Sequence, residues 1–315
     1  MRSNQLETLC LDDLVPANHP YRRLRKALDF EKIVKSARVK IAQTGAIGFG
    51  RTRLIMCLIL QFMEDLSDRQ FDRYLKENTS GKWFCDFGLS ERTPDFTTLC
   101  KFRNLVGTSG MERIFKEVNR QLSAKSLLAE TFTFVDATAL ISKLNLWEER
   151  DRAIAEGYEK LNNETLPEIA VDPEAKIGAK TRNKFWYGFK KHVAVDCKSG
   201  MITAVSVTPA NVSDAEGVKA ILPKRGAVLG DKGFVGAIDE IRRRGLHSMV
   251  ILRANMAAKN RDLDRFITKV RAPFEGVFSK QNRRVRYRGT AKNQGAEYLF
   301  AVAYNFRKLL AVTTA

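Results

Sequence analysis

The stretch Thr133-Phe-Val-Asp-Ala-Thr-Ala-Leu-Ile141 decides how this chain is read. It is apolar and rich in β-branched residues, so it reads as a buried strand, yet it carries an acid at Asp136. A carboxylate inside an apolar run is costly unless it is paired or holds a cation. A second run, Ala227-Val-Leu-Gly-Asp231, ends on an acid, and Lys232-Gly-Phe234 breaks the strand after it. Taken alone, Asp231 before Lys232-Gly233 reads as a turn former. A third acid, Glu275, lies in a basic helical segment and shares a helix face with Arg271 at i, i+4.

Working outward from these runs gives the order of elements. The predicted strand at 133–141 is followed by a charged stretch from Lys143 to about Lys184, rich in Glu, Asn and Lys, that reads as a largely helical insertion. His192-Val-Ala-Val-Asp196 and Met201-Ile-Thr-Ala-Val-Ser-Val207 then form a hairpin about Cys197-Lys-Ser-Gly200. Helix 214–222, strand 227–231, helix 235–244 and strand 248–252 follow. A last helical block runs from about 262 to 310, interrupted near Tyr287-Arg-Gly-Thr290. This is a mixed α/β sheet with a βαβ half. It is also the order of an RNase H-like core, with the first acid on strand one, the second after strand four and the third on the helix after strand five.

The N-terminal third has a different character. Pro20–Phe30, Arg51–Asp65 and Leu99–Arg103 carry helical spacing, and Ser67-Asp-Arg-Gln70 fits a capping box. Residues 111–130 read as an amphipathic helix leading into the first core strand. We therefore expect a helical DNA-binding or dimerisation domain at 1–110 and an RNase H-like catalytic domain at 111–315, with the insertion at about 143–184. The pattern leaves a helix-turn-helix reader and a plain helical bundle both open.

The chain has 54 basic against 36 acidic side chains, a formal charge of +18. Such an excess favours a polyanion through phosphate contacts and counterion release. The five cysteines are odd in number and far apart, with no Cys-x-x-Cys pair, so neither a zinc site nor a disulfide framework is suggested and reduced thiols are expected. The N-terminus has no apolar signal segment, little sequence follows Leu310 for a further domain, and Leu54–Met63 is too short to span a bilayer. A cytoplasmic, non-membrane protein is the expectation.

Three hard carboxylates converging from two strand ends and a helix can hold two Mg²⁺ ions, with Mn²⁺ as a substitute, about 4 Å apart beside a phosphodiester. Asp136 would bridge both ions, with Asp231 and Glu275 each favouring one. Glu240 and Glu297 are weaker candidates for the third acid, because their segments do not follow the last strand in the required way. The run Lys280-Gln-Asn-Arg-Arg-Val-Arg-Tyr-Arg-Gly289, with Lys292 after it, adds phosphate-binding capacity through Lys280, Arg283, Arg284, Arg286, Arg288 and Lys292. Arg271 is expected to contact the scissile strand. Trp147 and Trp186 can stack on a distorted base, but anchoring roles in the core suit them better. His192 reads as structural.

At these residues the chain resembles a bacterial insertion-sequence transposase of the DDE type, similar to the insertion-sequence-five family. The resemblance rests on Phe134-Val-Asp-Ala-Thr138, Asp172-Pro-Glu-Ala175, Tyr187-Gly-Phe-Lys-Lys-His192, Thr208-Pro-Ala-Asn-Val-Ser-Asp214, Gly230-Asp-Lys-Gly-Phe234, Val270-Arg-Ala-Pro-Phe-Glu275 and Arg286-Tyr-Arg-Gly-Thr-Ala-Lys292. In the N-terminal part, Leu66-Ser-Asp-Arg69 and Pro94-Asp-Phe-Thr-Thr-Leu99 are similar to the helical domain of such enzymes. The order of these pieces is far more specific than any one of them. Such transposases often place Tyr, Arg, Glu and Lys at a set spacing about the last acid; here Arg271 and Glu275 fit, while the Tyr slot falls on Thr268 and the Lys slot on Asn282. Lys280 or Arg283 would then substitute. The resemblance implies a nucleoid-associated enzyme that pairs as a homodimer on the terminal inverted repeats of its element, cleaves there and joins the 3′-hydroxyl ends to target DNA.

Overall fold

The computed structural model describes residues 10–40, 48–142, 170, 172–181, 184–256, 260–279 and 284–312. The chain divides into two compact units, 1–121 with 299–315, and 122–298.

In the first unit the described elements are helical: α1 (Leu11–Leu14), α2 (Pro20–Ala27), α3 (Phe30–Ser36), α4 (Arg51–Met63), α5 (Asp68–Glu77), α6 (Thr79–Phe84) and α7 (Phe96–Ala124), which breaks at Gly107. Helix α4 is buried along nearly its whole length, from Leu54 to Met63, because it is apolar on every side. Ser67 and Gln70 form the expected reciprocal capping box at the start of α5. Next to it, Asp68 accepts both guanidinium branches of Arg103, which is buried. A paired fork of this kind compensates the burial of its charge.

The second unit is built on a mixed sheet of six strands: β1 (Phe132–Ile141), β2 (Lys176–Thr181), β3 (Lys184–Asp196), β4 (Ile202–Pro209), β5 (Ala227–Gly230) and β6 (His247–Val250). The path is β2-β3-β1-β5-β6, with β4 also on β3. β1 runs antiparallel to β3 and parallel to β5, and β5 is parallel to β6. The hairpin β3–β4 turns at Cys197–Gly200 as expected, its buried Asp196 carboxylate accepting from the Ser199 amide and hydroxyl. Short crossovers connect the parallel strands: α8 (Asp214–Gly217) and a 3-10 turn (Val218–Ile221) precede β5, and a 3-10 turn (Lys232–Ala237) with α9 (Ile238–Arg243) precedes β6. After β6 come α10 (Arg261–Ser279) and α11 (Thr290–Val312). The break between them covers the expected Tyr287–Thr290 interruption.

The fold is the mixed α/β arrangement expected, with one correction. Residues 143–169 of the predicted helical insertion lie outside the described residues, but its C-terminal part is strand. Ile177 to Ala179 pair with Tyr187 to Phe185, and β3 starts several residues before the predicted hairpin. The Glu- and Lys-rich composition of the insertion concealed a short period-2 stretch, and cross-strand pairing with the aromatic run Phe185-Trp186-Tyr187 overrides its local preference.

Because side chains alternate along a strand, the sheet has two distinct faces. Val135, Ala194 and Val228 face a core completed by Val218, Ile221, Phe234, Ile241, Leu246 and Val250 from the crossovers and β6. Asp136 belongs to the other face, where Leu140, Tyr187, Phe189 and Val207 make a second cluster with Ala175. Among the described residues no helix is long and apolar enough to cross a membrane.

Candidate active site

The pairing register brings two of the three predicted acids together. Phe134 lies opposite Leu229 in the parallel β1–β5 pair. Two residues further along each strand stand Asp136 and Asp231. Asp231 remains extended (φ −80, ψ −179) beyond the end of β5, so both carboxylates project from one face of neighbouring strands. Adjacent strands lie about 4.8 Å apart. Both residues are half-buried.

Local chemistry fixes the Asp231 side chain. Its Oδ1 accepts from the Gly233 amide at 2.8 Å and caps the 3-10 turn that follows. A Cβ at Gly233 would lie 2.9 Å from that same Oδ1 and 3.2 Å from Asp214 Oδ2, so a side chain there would displace a carboxylate. Phe234 closes the turn by inserting into the core. Asp214, at the start of α8, is held in turn by Lys190 Nζ at 2.8 Å, which also donates to the Val212 carbonyl.

Glu275 and Arg271 lie on α10, the helix after the last strand, as the sequence reading requires. Their side chains fall outside the described residues, and Lys280 and Arg283 lie outside them altogether. The remaining basic segment reaches β1: the Val285 amide donates to the Ile141 carbonyl at 3.0 Å, and Arg284 bridges to Ile141. Arg284, Arg288 and Lys292 are exposed and Arg286 is half-buried. The Asp172-Pro-Glu-Ala175 loop secures this segment, with Asp172 Oδ2 accepting from the Gly289 amide (3.0 Å) and Glu174 Oε2 from the Thr290 amide (2.8 Å). That last bond holds the Glu174 carboxyl below its ordinary range.

The weaker candidates are engaged elsewhere. Glu240 pairs with Arg243 and Arg244 on its own helix. Glu297 is buried and pairs with Lys191. Trp186 donates its indole N–H to the Phe189 carbonyl at 3.1 Å, an anchoring role, and Trp147 lies outside the described residues.

His192 is fully buried on the face opposite Asp136, bonded to Thr208 Oγ1 at 2.9 Å. A Cβ at Gly217 would fall 2.1 Å from its ring, so α8 packs directly on the imidazole. Burial lowers its pKa to about 4; the Asp214 carboxylate opposes this shift and the Lys190 ammonium adds to it. His192 is therefore neutral in the folded protein. As pH falls, the unfolded chain takes up the proton first, so stability present above about pH 6.5 is lost on the way to about pH 4, by up to about 3 kcal/mol. Melting temperature should fall more steeply between pH 7 and 4.5 for the native chain than for His192→Gln. Equal slopes would remove His192 as the cause.

Hard carboxylate oxygens are the ligands that a divalent cation such as Mg²⁺ or Mn²⁺ takes. Among the described residues no three His, Cys, Asp or Glu side chains form a metal cluster, and the side chain of Glu275 is not among them.

Comparison with known protein families returns two matches. A model described as a transposase domain (DUF772) covers residues 9–105, and a model of the transposase DDE domain covers residues 162–298. The chain belongs to the DDE transposases. It is therefore an enzyme of a family that uses divalent metal ions to act on DNA, and its sheet is an RNase H-like core. The DDE match takes in Asp231, Glu275 and the basic segment, while Asp136 precedes it. For this transposase the β1–β5 register is thus an independent reason to join Asp136 to Asp231.

Two groups near the site escaped the sequence reading, Asp214 beside the Asp231 turn and the Lys191–Glu297 pair. A signal for the second was present. Lys191 alternates with Phe189 and Val193, so its position falls on a buried face where a lysine needs a partner.

Proposed function

We propose that this transposase binds the terminal inverted repeats of its own insertion sequence, cleaves at the element ends and joins the freed 3′-hydroxyls to target DNA. The observation that supports this most is the matched position of Asp136, midway along β1, and Asp231, just past the end of the neighbouring parallel strand β5, followed in the chain by Glu275 on the helix after the last strand.

In this reading Asp136, Asp231 and Glu275 hold two Mg²⁺ ions, and Mn²⁺ serves in their place. Bound there, the ions supply Lewis-acid stabilisation of the phosphoryl oxygens and of the attacking and leaving oxygens. Asp136 would serve both ion positions, with Asp231 and Glu275 each serving one. Arg271, with Lys280 and Arg283, steadies the scissile strand. Arg284, Arg286, Arg288 and Lys292 bind the DNA backbone and set its register relative to the acids. The reaction needs two displacements at phosphorus: water first bonds to the phosphorus at the element end and its P–O3′ bond breaks, freeing a 3′-hydroxyl and leaving a 5′-phosphate on the flanking strand; that hydroxyl then bonds to a target phosphorus and displaces the target's own 3′-oxygen. The helical domain at 1–110 contributes DNA binding and pairing of two subunits, consistent with the insertion-sequence-five resemblance and with action at the nucleoid.

The deciding assay uses DNA carrying the element's own ends with Mg²⁺, reading cleavage and joining separately. Cleavage followed by joining supports the proposal. Cleavage without joining reduces the protein to a nuclease, and binding without cleavage makes it a regulator of its element. For the backbone contacts, Arg284→Ala, Arg288→Ala and Lys292→Ala should each weaken binding to all sequences alike and lower the slope of log K against log salt by about 1. An unchanged slope removes that residue from the interface.

A further inference from the structure

We propose that Glu297 is a positioning residue for the cation site, acting through Lys191: it holds the Lys191 ammonium so that Asp136 keeps its carboxylate for the cation. This rests on the assignment of Asp136 to that site.

Lys191 lies opposite Thr138 in the β1–β3 pair, and the next pair on the same face is Val193 with Asp136. Lys191 and Asp136 are thus diagonal neighbours, about 7 Å apart and within reach of a long side chain. The ammonium is buried, its side chain only 3% exposed, and it lies 3.0 Å from Glu297 Oε2, whose side chain is 7% exposed. A buried lysine one step from a cation-binding aspartate is a competitor for that aspartate. Glu297 neutralises it.

The helix that carries Glu297 is fixed to the sheet by polar bonds on one face. The Thr290 amide donates to Glu174, and the Gln294 side chain bridges the Val207 amide (2.6 Å) and the Val205 carbonyl (3.1 Å). Positions 290, 294 and 297 follow helical spacing, so Glu297 is the third anchor in a row. Its carboxylate is placed by the helix, and Lys191 comes to it. The same helix starts directly after Arg286 and Arg288, so the arrangement also joins the proposed DNA-holding segment to the acidic strand.

For stability alone, an apolar pair of similar volume would serve as well or better than a buried ion pair. An apolar pair in the native sequence would also leave no competitor to neutralise, so the pair's presence points to charge placement. Even at about 10 Å from a divalent ion, a unit charge at an effective dielectric of about 20 shifts the ion's binding by more than tenfold.

The test measures Mn²⁺ affinity by electron paramagnetic resonance on the full chain without DNA, with circular dichroism to establish folding. Glu297→Gln withdraws the negative charge that faces the ammonium and should weaken Mn²⁺ binding at least about tenfold. Lys191→Met added to Glu297→Gln removes the competitor and should restore affinity to within about threefold of the native chain. Unchanged affinity in Glu297→Gln overturns the proposal, and so does a loss that the double variant does not repair, which would mark a packing role. If Glu297→Gln fails to fold, Glu297→Asp keeps the charge but withdraws it by one methylene; a loss of about threefold, repaired by Lys191→Met, is expected, and unchanged affinity overturns the proposal. Asp136→Asn run in parallel separates the two levels. If it leaves Mn²⁺ binding intact, the site assignment fails and the inference with it. If it abolishes binding while Glu297→Gln changes nothing, the inference alone fails.

Discussion

Replacing Asp136 or Asp231 with asparagine should reduce DNA cleavage by at least about a hundredfold, the scale seen when one charge-stabilising group is removed from a preorganised site. DNA binding and the fold should survive. Asparagine keeps the size of each side chain, and at 231 it keeps an oxygen to accept from the Gly233 amide, so the capped turn persists. Only the negative charge and its hard oxygen are lost. Because the two carboxylates come from strands in register, neither can take over the other's role: each is fixed by its own strand, Asp136 within the β1–β3 ladder and Asp231 at the turn after β5. The double variant should therefore be scarcely worse than either single one, as expected for groups that act as a unit. Cleavage within threefold of the native rate in either single variant would sink the assignment. Loss of binding together with cleavage would show that the substitution acted on the fold instead.

Much of this arrangement was legible in the sequence, for identifiable reasons. Val135, Val228 and the hairpin about Cys197–Gly200 are local signals: apolar runs, period-2 alternation and a turn sequence, each needing only neighbours in the chain. The capping box at Ser67 is equally local. What stayed hidden depends on partners far away. β2 was concealed in a charged stretch because its pairing with Phe185–Gly188 outweighs its composition. Asp214 approaches the Asp231 turn where glycines at 233 and 236 let the 3-10 turn after β5 pack closely on α8. Glu297 was weighed only as a metal ligand, since its partner Lys191 is on a strand more than a hundred residues earlier. Asp136 was singled out by chemistry, since a carboxylate in an apolar run needs a reason, whereas Asp231 and Glu275 were chosen by their place in the order of elements; the nearness of Asp136 to Asp231 required the register.

Phe234→Ala should be the most damaging single change to the catalytic unit outside the acids. The ring is 1% exposed and fills the space between Val135, Val228, Ile241, Leu246 and Val250. Truncating a buried phenylalanine costs about 3–5 kcal/mol, a lost transfer term plus the cavity left behind. In a unit of this size that corresponds to a fall in melting temperature of about 10 °C. The effect on function should exceed the effect on folding. Phe234 lies three residues after Asp231 in the turn that Asp231 caps, and its Cδ2 lies 3.0 Å from where a Cβ on Gly230 would stand, so the ring presses on the strand end that carries the acid. With the ring removed, the turn loses its anchor and Asp231 its fixed orientation. Cleavage measured at a temperature where the variant is still folded should thus fall by tenfold or more, because displacements of even 1 Å are costly at such sites. Phe234→Leu, which refills most of the cavity, should recover much of the stability and part of the rate. If Phe234→Ala loses stability yet cleaves at the native rate when folded, the core supports the sheet without orienting the acid, and the position of Asp231 does not depend on the ring.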